Sequence, residues 1–317
     1  MDRGTIRALA LEGFDQPPAV IELPAPQPQA GEVSVRVGAA SVNAYDTFVA
    51  MGMMKDFMTY EFPAVLGMDL AGVVESVGAG VEDFAPGVRV FGTLGMKGSV
   101  RDGTFGELAT PQAPMLAVTP DDVTDEQAGT LGVAATTAMS AVEALDPGDG
   151  STVLILGATG GVGTFAIQLV AGRGARVIAS VRRGDEDFVS ELGAAETVDY
   201  TGDIATAIRQ RYPEGIDGLI DVVNRDPAAF ATVVGLVRTG GRAASAVGGA
   251  GDATEVSGVS VSNIGGNPPH LGALAQLVGK GSLEVAITRT YRLDESAQAL
   301  QDFTNEHTLG KLVISVA

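Results

Sequence analysis

The sequence predicts an α/β protein in which a β-rich domain precedes a doubly wound parallel sheet, and three observations predict it. Short strand-like runs broken by Pro and Gly fill the chain up to about Pro120. From Ser151 onward strand-like and helix-like runs alternate, the pattern of a parallel sheet covered by helices. Where that alternation begins, Val153-Leu154-Ile155-Leu156 runs into Gly157-Ala158-Thr159-Gly160-Gly161-Val162-Gly163, a buried strand opening through a glycine turn into an apolar helix.

In chain order, strands are expected over residues 5–11, 19–23, 32–39, 71–78, 89–93 and 106–110, with few helices among them. Val33, Val35 and Val37 alternate with Ser34, Arg36 and Gly38, the period of a half-buried strand. Asp121, Thr124 and Asp125 offer N-caps to one helix over residues 128–145, which Asp146-Pro147-Gly148 ends. Strands then read at residues 152–156, 176–180, 197–198, 218–223 and 241–247, with helices around 161–173, 185–192, 204–211 and 228–237. A looser segment runs to about Pro269, followed by a helix at 271–279, a strand at 284–291, a helix at 294–305 and a last strand at 311–316.

The chain has 317 residues and no cysteine, which excludes disulfides, thiolate zinc sites and a cysteine nucleophile. Its formal charge of −19 disfavours phosphate backbones and anionic lipid, so no nucleic-acid or membrane partner is expected, and the charge reads as a solubility feature. No apolar run approaches the roughly 20 residues that cross a bilayer. Residues 1–10 show no secretory core or cleavage site, so a cytoplasmic location is expected. Hydrolase readings fail, because neither Gly-x-Ser-x-Gly nor His-Glu-x-x-His occurs.

The glycine turn has the parts needed to grip a pyrophosphate. Gly157 and Gly160 allow a tight turn and close backbone approach, Gly163 lets helix pack on strand, and the helix N–H groups and dipole favour negative charge. The next strand ends in Ser180-Val181-Arg182-Arg183 with no acid at its tip, which favours NADPH over NADH: a hydroxyl and two guanidiniums suit a 2′-phosphate. An ordinary exposed basic turn is the alternative reading of the Arg pair, and Asp185, Glu186 and Asp187 just beyond read as the solvated start of a helix.

Gly67-Met68-Asp69-Leu70-Ala71-Gly72-Val73-Val74-Glu75-Ser76-Val77-Gly78 with Pro86-Gly87-Val88-Arg89-Val90 resembles the first-domain signature of the medium-chain dehydrogenase/reductase superfamily. Leu192-Gly193-Ala194-Ala195 with Val198-Asp199-Tyr200 resembles the region after its second cofactor strand, and Tyr291-Arg292-Leu293-Asp294-Glu295-Ser296-Ala297-Gln298-Ala299-Leu300 with Gly310-Lys311-Leu312-Val313 its closing helix and strand. The resemblance spans nearly the whole chain. It implies a GroES-like catalytic domain (1–122), a Rossmann NADP-binding domain (123–265) and a C-terminal segment (266–317) returning to the catalytic domain, with the cofactor in the cleft between domains. The zinc-dependent branch uses Cys and His ligands, whereas this chain has no Cys and only His270 and His307, so it resembles the zinc-free quinone oxidoreductases and enoyl reductases.

By resemblance, Asn43 and Asp46 match the active-site segment and Thr137 a helix-start residue near the nicotinamide. Tyr200 with Ser180, Arg182 and Arg183 matches the 2′-phosphate pocket; Ala246, Val247 and Gly248 match the strand end beside the nicotinamide; Asn224 falls on the adenosine side; Lys311 joins the cofactor-contacting positions. Phe48 and Met54 depart from the family by standing where some relatives carry tyrosines, and the Lys that often follows the second strand is absent.

The expected reaction is hydride transfer from the nicotinamide to a quinone or to the β-carbon of an α,β-unsaturated carbonyl, with negative charge developing on the carbonyl oxygen. Asn43 is the first candidate to donate to that oxyanion. Tyr45 and Tyr60 are candidate proton donors, packing being the alternative for each and solvent a further proton source; alternation points Tyr45 away from Asn43. The apolar residues between Phe48 and Phe62 form either a deformable wall for an apolar substrate or a loop packed on its own domain, and the pocket shape depends on loops 51–63 and 95–103. A second class of function, motivated by the missing tyrosines, keeps the cofactor or its cleft for a non-redox cyclisation or for ligand sensing. A homodimer is expected by analogy with relatives, through residues 241–262.

Overall fold

In a computed structural model the described residues are 4–95 and 99–316, so Met96, Lys97 and Gly98 of the loop at 95–103 lie outside them. The chain divides into two compact units, one of Met1–Val133 with Pro268–Ala317 and one of Ala134–Asn267.

The first unit is built on a sheet ordered Leu116–Val118, Arg89–Thr93, Asp69–Val77, Val33–Ser41, Lys311–Ser315, Ile287–Arg292, with Leu108–Ala109 also pairing to Val33–Ser41. A smaller sheet joins Ala19–Pro24, Thr5–Leu11 and Ala64–Val65. Val33, Val35 and Val37 enter the core, and of the residues between them only Arg36 is exposed, paired with Glu75 at 2.6 Å. Register matters most at one end of this sheet. Ser41 lies opposite Asp69 on one side and Val313 on the other, which brings three distant segments side by side.

Two expectations need correction here. Residues 44–50, where no element was expected and alternation was used to orient Tyr45, form the helix Ala44–Ala50. Asn43 is its N-cap, and Asp46, three residues on, accepts the Asn43 backbone N–H at 2.8 Å. That is half of a capping box, read from an Asx residue followed by a carboxylate at the third helical position. The helix expected over 128–145 is broken into Asp125–Ala128, a wide π-type turn at Leu131–Ala135, and Thr136–Leu145. The break has a cause outside the local sequence: the Val133 N–H donates to Asp69 Oδ1 at 2.8 Å. A Cβ on Gly132 would come within 2.4 Å of both that oxygen and Gly92 O, so the turn is pressed against the sheet.

The second unit is a sheet ordered Glu196–Asp199, Arg176–Val181, Thr152–Leu156, Ile216–Asp221, Val237–Ser245, Val259–Asn263, Glu255–Val256. All neighbours are parallel except the last pair. The chain runs outward from Thr152–Leu156 in one direction and then in the other, so the strand order reverses beside that strand, where ligands bind in open α/β sheets. The helix Gly161–Ala171 buries Phe165, Ala166, Ile167 and Val170, and each of the larger side chains contributes about 1.5–3 kcal/mol to holding it on the sheet. The segment expected to be loose before Pro269 instead ends the sheet with a hairpin. Ser257 and Gly258 both have positive φ (53° and 79°), the geometry of a two-residue primed turn.

Candidate active site and cofactor turn

In the second unit the glycine turn follows the central strand. Gly157 has φ 76°, and a Cβ there would lie 2.4 Å from Val222 Cγ2. A Cβ on Gly163 would sit 2.2 Å from Gly157 O, so only glycine allows the helix this close. Gly160 is different: its φ is −83° and the nearest atom to a Cβ is 3.5 Å away, so the protein's own packing does not demand glycine there. Ala158 and Thr159 are buried, while Gly161 and Val162 are half-buried at the helix start. The N–H groups of the first helical turn, at Gly161, Val162 and Gly163, lack intrahelical acceptors, as at any α-helix start. The donor set therefore fits a pyrophosphate: unpaired N–H groups, a dipole of the right sign, and a glycine whose Cβ space is left open.

Around this turn the side chains sort themselves by burial. Ser180 is 2 % exposed and its Oγ accepts the Gly157 N–H at 3.0 Å, so it braces the turn, which corrects its expected place among the phosphate ligands. Arg182 and Arg183 are exposed, and Tyr200, 42 % exposed, is tied beside them by its N–H to Val181 O. Asp185 is not solvated as expected. It is 9 % exposed, and its Oδ2 lies 3.4 Å from Arg182 Nε, so an acid competes for one of the two guanidiniums. Asp221, buried at the end of its strand, accepts the N–H groups of Val223 and Asn224 and the Asn224 amide Nδ2 at 2.8 Å. Ala246, Val247 and Gly248 follow the end of Val237–Ser245, where Ser245 Oγ accepts the N–H of Gly249 at 2.8 Å. Thr137 is the second residue of Thr136–Leu145 and is buried.

In the first unit the register at Ser41, Asp69 and Val313 gathers a buried polar cluster. Asp69 Oδ2 accepts Ser41 Oγ–H and Asn43 Nδ2–H, each at 2.9 Å, and Asp69 Oδ1 accepts the Val133 N–H. Lys311 Nζ donates to Asn43 Oδ1 at 2.8 Å and Val42 O at 3.0 Å, and lies 3.8 Å from Asp69 Oδ2. This corrects two expectations. Lys311, 3 % exposed, is committed to the cluster and offers nothing to a cofactor. Asn43 directs its two amide hydrogens to Asp69 and Ser41 O, so it has none to give a substrate oxyanion. Asp69 and Ser41 were missed as site residues. The only signal was Asp69's place inside the Gly67-Met68-Asp69 motif, because nothing local links it to Lys311.

Burial dominates the titration of this cluster. It holds the Asp69 carboxyl above its ordinary range against the pull of Lys311 and the Asn43, Ser41 and Val133 donors, and it pushes Asp46 up to about 8. Burial also lowers Lys311, which Asp69 and Asp46 oppose. Tyr45 and Tyr60 are half-buried, and each hydroxyl donates inside the protein, to Met58 Sδ at 2.9 Å and Val49 O at 3.0 Å. Neither presents a free O–H, which corrects their place as proton donors; desolvation raises both phenols. The apolar run divides: Met54, Met58 and Tyr60 pack on the core, whereas Met51, Met53, Phe57 and Phe62 are exposed. Phe62 and Tyr60 both meet the ring of Phe14 edge-on.

Comparison with known proteins bears on both units. Residues 29–122 match the alcohol dehydrogenase GroES-like domain, and residues 161–270 match the zinc-binding dehydrogenase family. The chain belongs to the medium-chain dehydrogenase/reductase superfamily. Within that superfamily it falls in the quinone oxidoreductase-like branch. It is similar to a chloroplast envelope quinone oxidoreductase homolog of Arabidopsis thaliana, 31% identical over 65% of this chain and 64% of the relative, a little under two thirds of that protein's length. It is also similar to the mitochondrial NAD(P)H oxidoreductase RTN4IP1 of Mus musculus, 29% identical over 90% of this chain and 82% of the relative. The quinone oxidoreductase of Coxiella burnetii superposes with a TM-score of 0.89 at 25% identity, covering 99% of this chain and 100% of that one.

A zinc ion, which the family description brings to mind, does not fit this member of the superfamily. With no cysteine and two histidines, the chain lacks the donors, and no group of three or more His, Cys, Asp or Glu among the described residues is placed to hold a metal. No helix among the described residues is long and apolar enough to cross a membrane.

Proposed function

We propose that the chain is an NADPH-dependent, metal-independent reductase acting on a quinone or on the C=C bond of an α,β-unsaturated carbonyl. The observation that carries this reading is the glycine turn. An open Gly160 faces helix N–H donors after the central strand, and Arg182, Arg183 and Tyr200 stand exposed at the end of the next. When bound, the nicotinamide supplies the hydride. The chain's own residues do the rest. Helix N–H groups from Gly161 onward hold the pyrophosphate, and Arg183, with Arg182 partly drawn off by Asp185, offers charge-assisted hydrogen bonds to a 2′-phosphate. Quinone names among the relatives support the substrate class. The proposal includes a cytoplasmic location and a homodimer, which cell fractionation and light scattering test.

The internal commitment of both tyrosine hydroxyls favours a second reading, in which the fold retains its cofactor for a non-redox task or for ligand sensing. Titration with NADPH and NADH followed by quinones and enones separates the two. The reductase reading expects tighter NADPH binding and oxidation of NADPH on adding substrate. Replacing both Arg182 and Arg183 with Ala is expected to weaken NADPH about 10- to 100-fold, the worth of one charge-assisted hydrogen bond, and to leave NADH unchanged. Tight binding without turnover favours the non-redox reading, and equal binding of both nucleotides removes the 2′-phosphate assignment.

A further inference from the structure

Asp46 and Asp69 are both fully buried, and one buried ammonium, Lys311, lies near them. One cation balances one carboxylate, and the donors decide which. Asp69 receives Ser41, Asn43 Nδ2 and the Val133 N–H, with Lys311 at 3.8 Å. Asp46 receives only the Asn43 backbone N–H, through Oδ2, and its Oδ1 has no hydrogen-bond partner among the described residues. A buried carboxylate oxygen with nothing donating to it is costly, whereas a protonated one needs only somewhere to point its hydrogen. Asp46 lines a cavity of about 20 Å³, walled also by Tyr45, Val49, Met58, Leu66 and Met68. That is room for one water molecule.

We propose that Asp46 is a neutral carboxylic acid whose O–H, relayed by a single water in this cavity, is the proton source that completes the reduction. The proposal rests on the reductase reading above. As the hydride pair forms the new C–H bond at the β-carbon of an enone, the C=C electrons move onto the carbonyl as an enolate. The cavity water gives a proton to the enolate and takes the Asp46 proton, leaving a carboxylate that solvent reprotonates before the next turnover. With a quinone the same proton and hydride yield the hydroquinone.

Among the described residues, the groups facing Asp46 are Tyr45 on its own helix, Asp69 and Lys311 on the neighbouring strands, and Ser99 and Asp102 across the cavity. Burial is the largest influence, Asp69 adds to it, and the Asn43 N–H and Lys311 oppose it, so the proton is retained until pH rises through about 8. The stability that the neutral acid contributes is therefore fully present below the unfolded carboxylate range and is lost as pH rises through that value.

Two readouts on the whole protein test this. Infrared difference spectra should show a carboxylic-acid C=O band that disappears as pH rises through about 8 and is missing in Asp46→Asn. NADPH oxidation with an enone should show a wild-type rate falling above the same pH. Asp46→Asn should lower kcat on the order of 10²-fold or more, with a flat pH profile and unchanged NADPH affinity. Val49→Ile, which fills the cavity, should keep the acid band yet lose most of the rate, so the test stands even if Asp46→Asn folds poorly. Absence of the band, or an Asp46→Asn enzyme with wild-type rate and pH limb, overturns the proposal. If the wild type binds NADPH but reduces no quinone or enone, the reductase reading has failed instead, and the band still reports the state of Asp46.

Discussion

The glycine turn at 157–163 and the cluster around Asp69 are both polar sites set into apolar cores, and they are assembled in opposite ways. The turn is made almost entirely of backbone within seven consecutive residues; its side chains are hydrogens or small groups, Gly163 answers to an atom close in sequence and Gly160 to open space, while Gly157 also answers to the distant Val222 side chain. The cluster is made of side chains from three segments and one backbone N–H, that of Val133, from a fourth, with Asn43 and Lys311 hydrogen-bonded across 268 positions. The first is robust to changes elsewhere but intolerant of a single added methyl. The second accepts no loss of charge balance, because its members were taken out of water together.

The largest expected effect sharpens that contrast. Lys311→Met leaves Asp69 buried without its counter-ion and is expected to cost about 3–5 kcal/mol in urea unfolding, a good part of which Asp69→Asn in the same chain should restore. A loss under about 1 kcal/mol would show that Asp69 is not the charged member. Next comes Gly163→Ala, whose Cβ would lie 2.2 Å from backbone that has nowhere to retreat. A loss of about 1–3 kcal/mol in thermal unfolding, with weaker NADPH binding, is expected. Smallest is Gly160→Ala, whose Cβ meets nothing nearer than 3.5 Å. Stability should stay within about 0.5 kcal/mol while NADPH affinity falls in a fluorescence titration. If stability and affinity move together at both glycines, the distinction between a glycine required by packing and one required by the ligand is broken.

Much of the architecture was legible. The strands Thr5–Leu11, Arg89–Thr93 and Thr152–Leu156 and the helices Ile204–Arg211 and Leu271–Gly279 fall where periodicity and caps put them. The helix at Ala44–Ala50 was missed, since seven residues give too short a window for period 3.6 to stand out from alternation. The π-type break at Leu131–Ala135 was missed for another reason: its cause, Asp69, lies more than sixty positions earlier. Asp185 was expected to be solvated and Ser180 to meet a phosphate, whereas both are buried, in contacts with Arg182 and Gly157 that the sequence alone does not show.

What the sequence determined by itself is the part written in local backbone terms: the glycine turn, the alternation of strand and helix around it, and, through the missing cysteines, the donors the chain can offer. These depend on φ, ψ and steric space over a few residues, which residue type alone restricts. Tertiary structure alone decided which polar side chains are spent on the protein. Asn43, Lys311, Ser180 and the two tyrosines all have the chemistry to serve a ligand, and each is committed elsewhere. A side chain's free hydrogens are set by its neighbours in space, and in a buried site those neighbours come from far along the chain, because desolvation forces every donor and acceptor to find a partner wherever the fold supplies one.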